Sequence, residues 1–311
     1  MTKQAALLLM LFTMPLCALA GSADASEGSG SFNLGIRDVL AGKLPAPGFY
    51  IRYDFDYYQG SLDNIVTSAA TRTDIDLITR ISMLRLYHVT GLEILGGQHA
   101  WSILAPYADM EASAAVRGVK GAPLGTTHYS TGGKGDMLVT PLALGWHFDK
   151  LHYMFTASAY VPTGDYSSKS AVKIGKNRYA FDPAFAMTYL DTETMRELST
   201  AIGYTISSAN TDTDYRNGDE IHMDLAMVQR FNSGIGVGAV GYALEQVTGD
   251  SGAGAKYGGN KGQVFALGPM VTFTGKINEK NFHLAGKYYR EFGAVNKYEG
   301  GSFWLSMVMG L

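Results

Sequence analysis

Four places in the chain bring together side chains that could do chemistry. Asp54 and Asp56 stand two apart beside Arg52, and a pair of carboxylates in different environments can share acid and base roles. Residues two apart on a strand lie on one face, however, and next to an arginine such a pair more simply lines a wet surface. His128 and Ser130 share the same spacing, as a base and a nucleophile would. Their context, Gly125-Thr-Thr-His-Tyr-Ser-Thr-Gly-Gly133, marks no orienting carboxylate and no oxyanion hole. Gly236-Val-Gly-Ala-Val-Gly241 has the spacing of a dinucleotide fingerprint, but that loop must end a strand, open a helix and be followed about 20 residues on by an acidic residue. Here the glycines sit inside an alternating segment, where small residues let a strand bend or approach closely. Asn210 to Glu220 has the oxygen density of a calcium loop, yet an EF-hand starting at Asn210 requires glycine where Tyr215 stands and a bidentate glutamate where Ile221 stands. The expectation is therefore no catalytic residue, no metal and no cofactor.

What positions these residues is a repeated alternation. In Gly48-Phe-Tyr-Ile-Arg-Tyr-Asp-Phe-Asp-Tyr-Tyr-Gln-Gly60, Phe49, Ile51, Tyr53, Phe55 and Tyr57 share one strand face, and Tyr50, Arg52, Asp54, Asp56 and Tyr58 the other. In a soluble sheet the apolar face would be core; in a membrane barrel it would face lipid and the charged face the lumen. The pattern recurs. Ile221, Met223, Leu225 and Met227 alternate with His222, Asp224 and, further on, Arg230, while Phe282, Leu284 and Tyr288 stand opposite His283, Lys287 and Glu291.

The start of the chain indicates export. A short basic stretch, Met1-Thr-Lys-Gln, precedes an apolar run from Ala5 to Phe12, and Ala18-Leu-Ala20 and Ala23-Asp-Ala25 are small-x-small cleavage signals. Pro15 interrupts the run short of the roughly 20 apolar residues of a spanning helix. Residues 1–25 are thus expected to be a signal peptide, cleaved after Ala20 or Ala25. Cys17, the single cysteine, falls within it, which leaves the exported chain no disulfide framework. The net charge of −3 lacks the concentrated basic surface that nucleic acid requires.

No later segment reaches 18 consecutive apolar residues, so the 46% hydrophobic content is spread through strands, and 38 glycines, 19 tyrosines, 14 phenylalanines and only 9 prolines suit a β-rich chain. Periodicity gives about 12 segments, near 48-60, 73-83, 84-95, 98-112, 135-149, 151-163, 179-190, 196-208, 219-231, 234-247, 262-274 and 281-292, with 302-311 closing the chain. An even number is the rule for bacterial barrels, so one early boundary is expected to be misplaced. Long loops are expected at 110-134 and 248-261. The fold class is all-β: a transmembrane antiparallel barrel of about 12 strands over residues 48–311, preceded by the signal peptide and by a segment, 26–47, that could enter the lumen.

Ser29-Gly-Ser-Phe-Asn-Leu-Gly-Ile-Arg-Asp-Val-Leu-Ala-Gly-Lys-Leu-Pro-Ala-Pro-Gly-Phe-Tyr50 resembles the start of a family of outer-membrane proteins named for the meta-cleavage pathway of phenol degradation. Gly133-Lys-Gly-Asp136, Val161-Pro-Thr-Gly-Asp-Tyr166, Glu197-Leu-Ser199, Asn210 to Thr213 with Tyr215 and Gly218, Gly241-Tyr242, Gln246, Asp250-Ser-Gly252 and Ala266-Leu-Gly-Pro269 continue the resemblance in order. It implies a bacterial outer-membrane barrel, distantly related to channels for fatty acids and aromatic hydrocarbons, and it carries no catalytic residues.

The function expected from these observations is passive uptake of small hydrophobic or aromatic compounds. The alternatives are a structural or adhesive barrel without transport and, as a minor one, an outer-membrane hydrolase. Tyr50, Arg52, Asp54, Asp56, His222, Asp224, His283, Lys287 and Glu291 are the expected lumen-lining residues. Phe32, Leu34, Ile36, Val39 and Leu40 are the expected plug residues, by analogy with the related channels. The expected partners are outer-membrane lipid and lipopolysaccharide, small hydrophobic or aromatic ligands and the barrel-assembly machinery, with no nucleic acid.

Overall fold

The computed structural model describes residues 30–68, 71–118, 120–255, 259–277 and 280–311. The expected signal peptide lies outside them, as do residues 26–29. The described residues form thirteen strands and no helix: β1 Gly48–Ser68, β2 Thr71–Ile94, β3 Gly97–Gly118, β4 Pro123–Lys134, β5 Met137–Phe148, β6 Leu151–Val161, β7 Ala180–Asp191, β8 Arg196–Ser207, β9 Glu220–Arg230, β10 Ile235–Gln246, β11 Gln263–Ile277, β12 Lys280–Val295 and β13 Glu299–Gly310.

Twelve of them close into a ring. β1 pairs with β2, β2 with β3, β3 with β5, and each later strand with the next as far as β13, which returns to β1. The seam is a full antiparallel ladder from Tyr50 opposite Gly310 to Ser61 opposite Glu299, and the Leu311 amide extends it by donating to the Phe49 carbonyl at 2.8 Å. The alternation that runs to the end of the chain thus serves to seal the barrel.

The thirteenth strand, β4, continues the line of β5. Tyr107 faces Lys134 on β4, and Leu104 faces Leu138 on β5, so one extra residue is taken up between them as in a bulge. Gly135 makes the crossing and donates to Pro106 O at 2.9 Å. β1 to β4 therefore rise past the ring as an antiparallel extension.

Two expectations are corrected here. Segments 73-83 and 84-95 are one continuous strand, β2, and most of the stretch 110-134 read as a loop is strand, the far end of β3 plus β4. The physical reason is common to both. Once a strand leaves the bilayer neither face need be apolar, so β4, Pro-Leu-Gly-Thr-Thr-His-Tyr-Ser-Thr-Gly-Gly-Lys, is exposed on one face and only partly covered on the other over most of its length, and it carries no apolar period to detect. A strand longer than the bilayer requires invites a false cut.

Within the ring, the usual inside-outside rule of soluble proteins is reversed. Val271 and Leu267 on β11 are 54% and 59% exposed, and Phe49, Tyr53, Met227 and Leu305 are also exposed, whereas Asp54, Asp182, Ser199 and Asp224 are at most 1% exposed. Such a surface is stable only against lipid, and only closure pairs every backbone group there.

At one end the connections are tight turns, such as Leu95-Gly96. At the other they are long and brace one another. Gly164 and Lys176 donate backbone N–H groups to the Asp136 carboxylate at 2.9 and 2.7 Å, Asn210 Nδ2 donates to Tyr166 OH at 2.9 Å, and the Gly218 amide to Asp250 Oδ1 at 3.0 Å. A Cβ on Gly164 would stand 2.8 Å from backbone atoms of Gly135 and Gly175, so no side chain fits there.

Lysine at Val271, near the middle of the lipid face of β11, should destabilise the barrel by about 2–4 kcal/mol. Lysine at Thr126 on β4 should change stability by less than about 0.5 kcal/mol. Urea unfolding of vesicle-inserted protein followed by tryptophan fluorescence measures both.

Candidate functional site in the barrel interior

Leu44-Pro-Ala-Pro-Gly48 sets the path of the chain ahead of β1. Pro45 and Pro47 have no N–H to give to a ladder, so this stretch stays out of the sheet. The residues before it run inward. The Gly42 amide donates to Thr188 Oγ1 at 2.9 Å on β7, the Leu40 amide to Glu197 Oε1 at 2.6 Å on β8, and the Gly35 amide to Asp224 Oδ1 at 2.9 Å on β9. In return Arg52 on β1 and Lys287 on β12 donate to the carbonyls of Ile36 and Gly35 at 3.1 and 2.6 Å. A short segment can reach β1, β7, β8, β9 and β12 of one closed ring only from inside it. Gly35 is left-handed at φ +83°, and a Cβ there would stand 2.8 Å from the Tyr289 ring. Glycine meets both demands.

Charge holds the segment at three levels. In the middle, Asp38 Oδ2 pairs with Lys287 Nζ at 2.8 Å and with an Arg52 NH at 3.3 Å, while Arg52 also grips both oxygens of Asp54 at 2.8 and 2.9 Å. Ser306 Oγ donates to Asp54 at 2.6 Å. Burial pushes the Asp38 carboxyl up, but the Lys287 ammonium and Arg52 guanidinium outweigh it and hold it down at about 2. Toward the long-loop end, Arg37 meets Asp182 at 3.3 Å, Asp182 meets His222 Nε2 at 2.8 Å, and Phe32 stacks on the His222 ring with centroids 3.5 Å apart. Toward the tight-turn end, Glu197 binds Arg230, Ser199 Oγ and the Leu40 amide together.

An apolar cluster fills the space between. Phe32, Ile36 and Val39 are buried with Met83, Leu104, Tyr289 and Trp304, with Leu34 partly buried against them. Leu40 is half-buried in a left-handed conformation at φ 57°.

The other expected residues fall as follows. Tyr50 sits near the tight-turn end, its hydroxyl donating to Ala46 O at 2.7 Å and its ring stacked on Tyr87. Asp56 is buried, and its Oδ1 has no hydrogen-bond partner among the described residues. Glu291 accepts from Tyr242 OH at 2.7 Å, Tyr58 OH at 2.8 Å and the Gly300 amide at 2.8 Å. His283 lies lower on β12, with Nδ1 2.9 Å from Thr274 Oγ1, apart from the central pairs.

Several central residues carried no separate sequence signal. Asp38 and Arg37 lie in a segment without strand period, Arg85, Asp182 and Trp304 are single inward positions between apolar neighbours, and Tyr289 stands between Tyr288 and Arg290. Glu197 was marked only by the family resemblance.

The remaining motifs are placed elsewhere. His128 Nδ1 is 2.7 Å from Ser113 Oγ, across the β3–β4 pair. Gly236 to Gly241 lies in β10, laddered to β9 and β11 on both sides, where no strand-to-helix turn exists. Asn210 to Asp219 forms the β8–β9 connection, closed by a bridge between Asn210 and Tyr215.

A closed twelve-stranded ring with an apolar exterior and a charged, occupied interior is an integral outer-membrane β-barrel. The chain matches over residues 61–307 the family described as "Putative MetA-pathway of phenol degradation" and belongs to it. It is similar in fold to the COG4313 outer membrane channel from Pseudomonas putida F1, with a TM-score of 0.65 at 16% identity, covering 90% of this chain and 100% of that one. A more distant likeness, TM-score 0.39 at 10% identity over 93% and 98% of the two chains, is to a deletion mutant of the TodX monoaromatic hydrocarbon channel. A search of curated proteins by sequence gives no match.

Valine at Gly35 combines a left-handed backbone with a clash on Tyr289, which costs about 1–3 kcal/mol, enough for roughly five- to 150-fold more undocked segment. Trypsin should then cut the folded barrel after Arg37 and Lys43 faster by that factor, while the wild type resists. A carboxyl held below its usual range contributes stability above that range and loses it as pH falls through the lowered value. The Asp38 contribution to docking should therefore be lost as pH drops from about 4 toward 2, measurable with an acid-active protease.

Proposed function

We propose that this barrel is an outer-membrane channel for passive uptake of small hydrophobic or aromatic molecules, with residues 26–47 as a lumen plug. The observation that carries the proposal is that buried wall charges, Lys287 foremost, find partners in a segment that is not part of the wall. A barrel built only as a scaffold could satisfy such groups strand to strand, as Arg52 and Asp54 do. The likeness to a solved outer-membrane channel supports transport, and the family's description supports an aromatic cargo. The inward rings of Tyr242, Tyr289 and Trp304 are compatible with such a cargo.

In this reading Tyr50, Arg52, Asp54, Asp56, His222, Asp224, His283, Lys287 and Glu291 line the route once the plug moves. The exposed apolar and aromatic residues of the outer face contact lipid and lipopolysaccharide, and the chain reaches the membrane through a signal peptide and the barrel-assembly machinery. The second reading, a structural barrel, is favoured by the near-complete burial of the interior.

Deleting residues 30–40 separates the two. A plugged channel should gain single-channel conductance several-fold in planar bilayers, and cells carrying the deletion should take up toluene, phenol or benzoate faster at limiting concentration. A barrel that stays folded with unchanged conductance would be structural.

A further inference from the structure

We infer that the Asp38 carboxylate occupies the place of a ligand carboxylate, so that the molecules this interior selects are small aromatic acids. The inference rests on the channel proposal and specifies its cargo.

Lys287 is 1% exposed, and the acceptors within hydrogen-bond distance of its Nζ, Gly35 O at 2.6 Å and Asp38 Oδ2 at 2.8 Å, both belong to the N-terminal segment. Two aromatic faces also flank it, Trp304 at 4.8 Å and Tyr289 at 5.8 Å. Arg52 shares the same Asp38 oxygen. Directly opposite Arg52 in the β1–β2 ladder stands Arg85, whose buried Nε has no hydrogen-bond partner among the described residues. Withdrawal of the segment thus leaves an ammonium framed by two rings, a guanidinium that has lost one of its two acids, and a second guanidinium with an unused donor.

The wall carboxylates do not fully replace Asp38. Asp54 is committed to Arg52 and Ser306. Asp56, opposite Trp304 in the seam, and Asp224 on β9 each carry an unpartnered oxygen, and they are the competitors for Lys287. A benzoate-sized acid fits what is left. Its two oxygens reach Lys287 and Arg52 by charge-assisted bonds, and its ring lies against Trp304 and Tyr289. A neutral hydrocarbon would leave a desolvated ammonium unpaired, which is costly.

The test is calorimetric titration of the full chain in detergent micelles with benzoate and with toluene. Asp38→Asn removes the segment's charge from the two cations, so that benzoate displaces it more readily and should bind about tenfold or more tighter than wild type. The gain should vanish in Asp38→Asn with Lys287→Met, survive in Asp38→Asn with Lys287→Arg, and grow when Asp56→Asn removes one competitor. Toluene should be indifferent to all of these. No gain for benzoate, a gain that persists without a cation at 287, or an equal gain for toluene overturns the inference. Retention by the arginine variant excludes a misfolded barrel as the cause of loss. A barrel that conducts when residues 30–40 are deleted but shows no carboxylate preference overturns this inference alone, whereas one that never conducts overturns the channel proposal.

Discussion

Inside a bilayer a peptide group has no water to bond, so each N–H and C=O must be paired within the protein. Everything else in this barrel follows from that constraint. It forces β13 back onto β1 across a ladder from Tyr50 to Ser61, and closure creates an inner face that never meets lipid. Alternation then fixes composition. If Phe49, Tyr53 and Leu305 face hydrocarbon, Asp54, Ser306 and Lys287 must face inward. Charges gathered on a narrow inner surface need partners, and the N-terminal segment supplies several of them.

The constraint also explains what could be read in the sequence. β5 to β13 were legible to within about three residues at each end, because each crosses the bilayer once with lipid on one side and polar groups on the other. The strands β1 to β4 were legible only where they lie in lipid. Above it, Thr126, His128 and Ser130 share an exposed face, Thr127, Tyr129 and Thr131 a partly covered one, and neither has an apolar period. The inner-facing charges were legible as a class, since any polar residue alternating with lipid-facing ones must point inward. Their pairings were not. That Lys287 meets Asp38, some 250 positions earlier, depends on the path of a segment with no period at all, and Arg85 and Trp304 look like any other inward residue until the ring is closed.

The family-like motifs gain a physical meaning from the same geometry. Gly133-Lys-Gly-Asp136 and Val161-Pro-Thr-Gly-Asp-Tyr166 meet through Asp136 and Gly164, and Asn210 joins them through Tyr166. Glu197 ties the wall to Leu40. These residues recur in the resemblance because they join loop to loop and wall to segment, where side-chain chemistry and close approach allow few substitutes. The lipid face, where any apolar residue serves, contributes little to it.

The interior cannot simply open. Removing the segment would expose Asp224 without its Gly35 donor, Asp182 without Arg37 and Lys287 without Asp38, and a buried charge stripped of its partner is far less stable than one never introduced. For the segment to act as the proposed plug, its movement has to be an exchange, in which water or a solute takes over each polar contact as it is given up. A solute that replaces only the apolar contacts of Phe32 and Ile36 leaves the charges to water, whereas one with a ring and an acidic group can replace both kinds at once. Occupancy of the route and identity of the cargo are on this view set by the same few wall residues, Arg52, Lys287 and the rings of Tyr289 and Trp304. The twelve strands hold those residues in position, and the segment shows what shape of partner they accept.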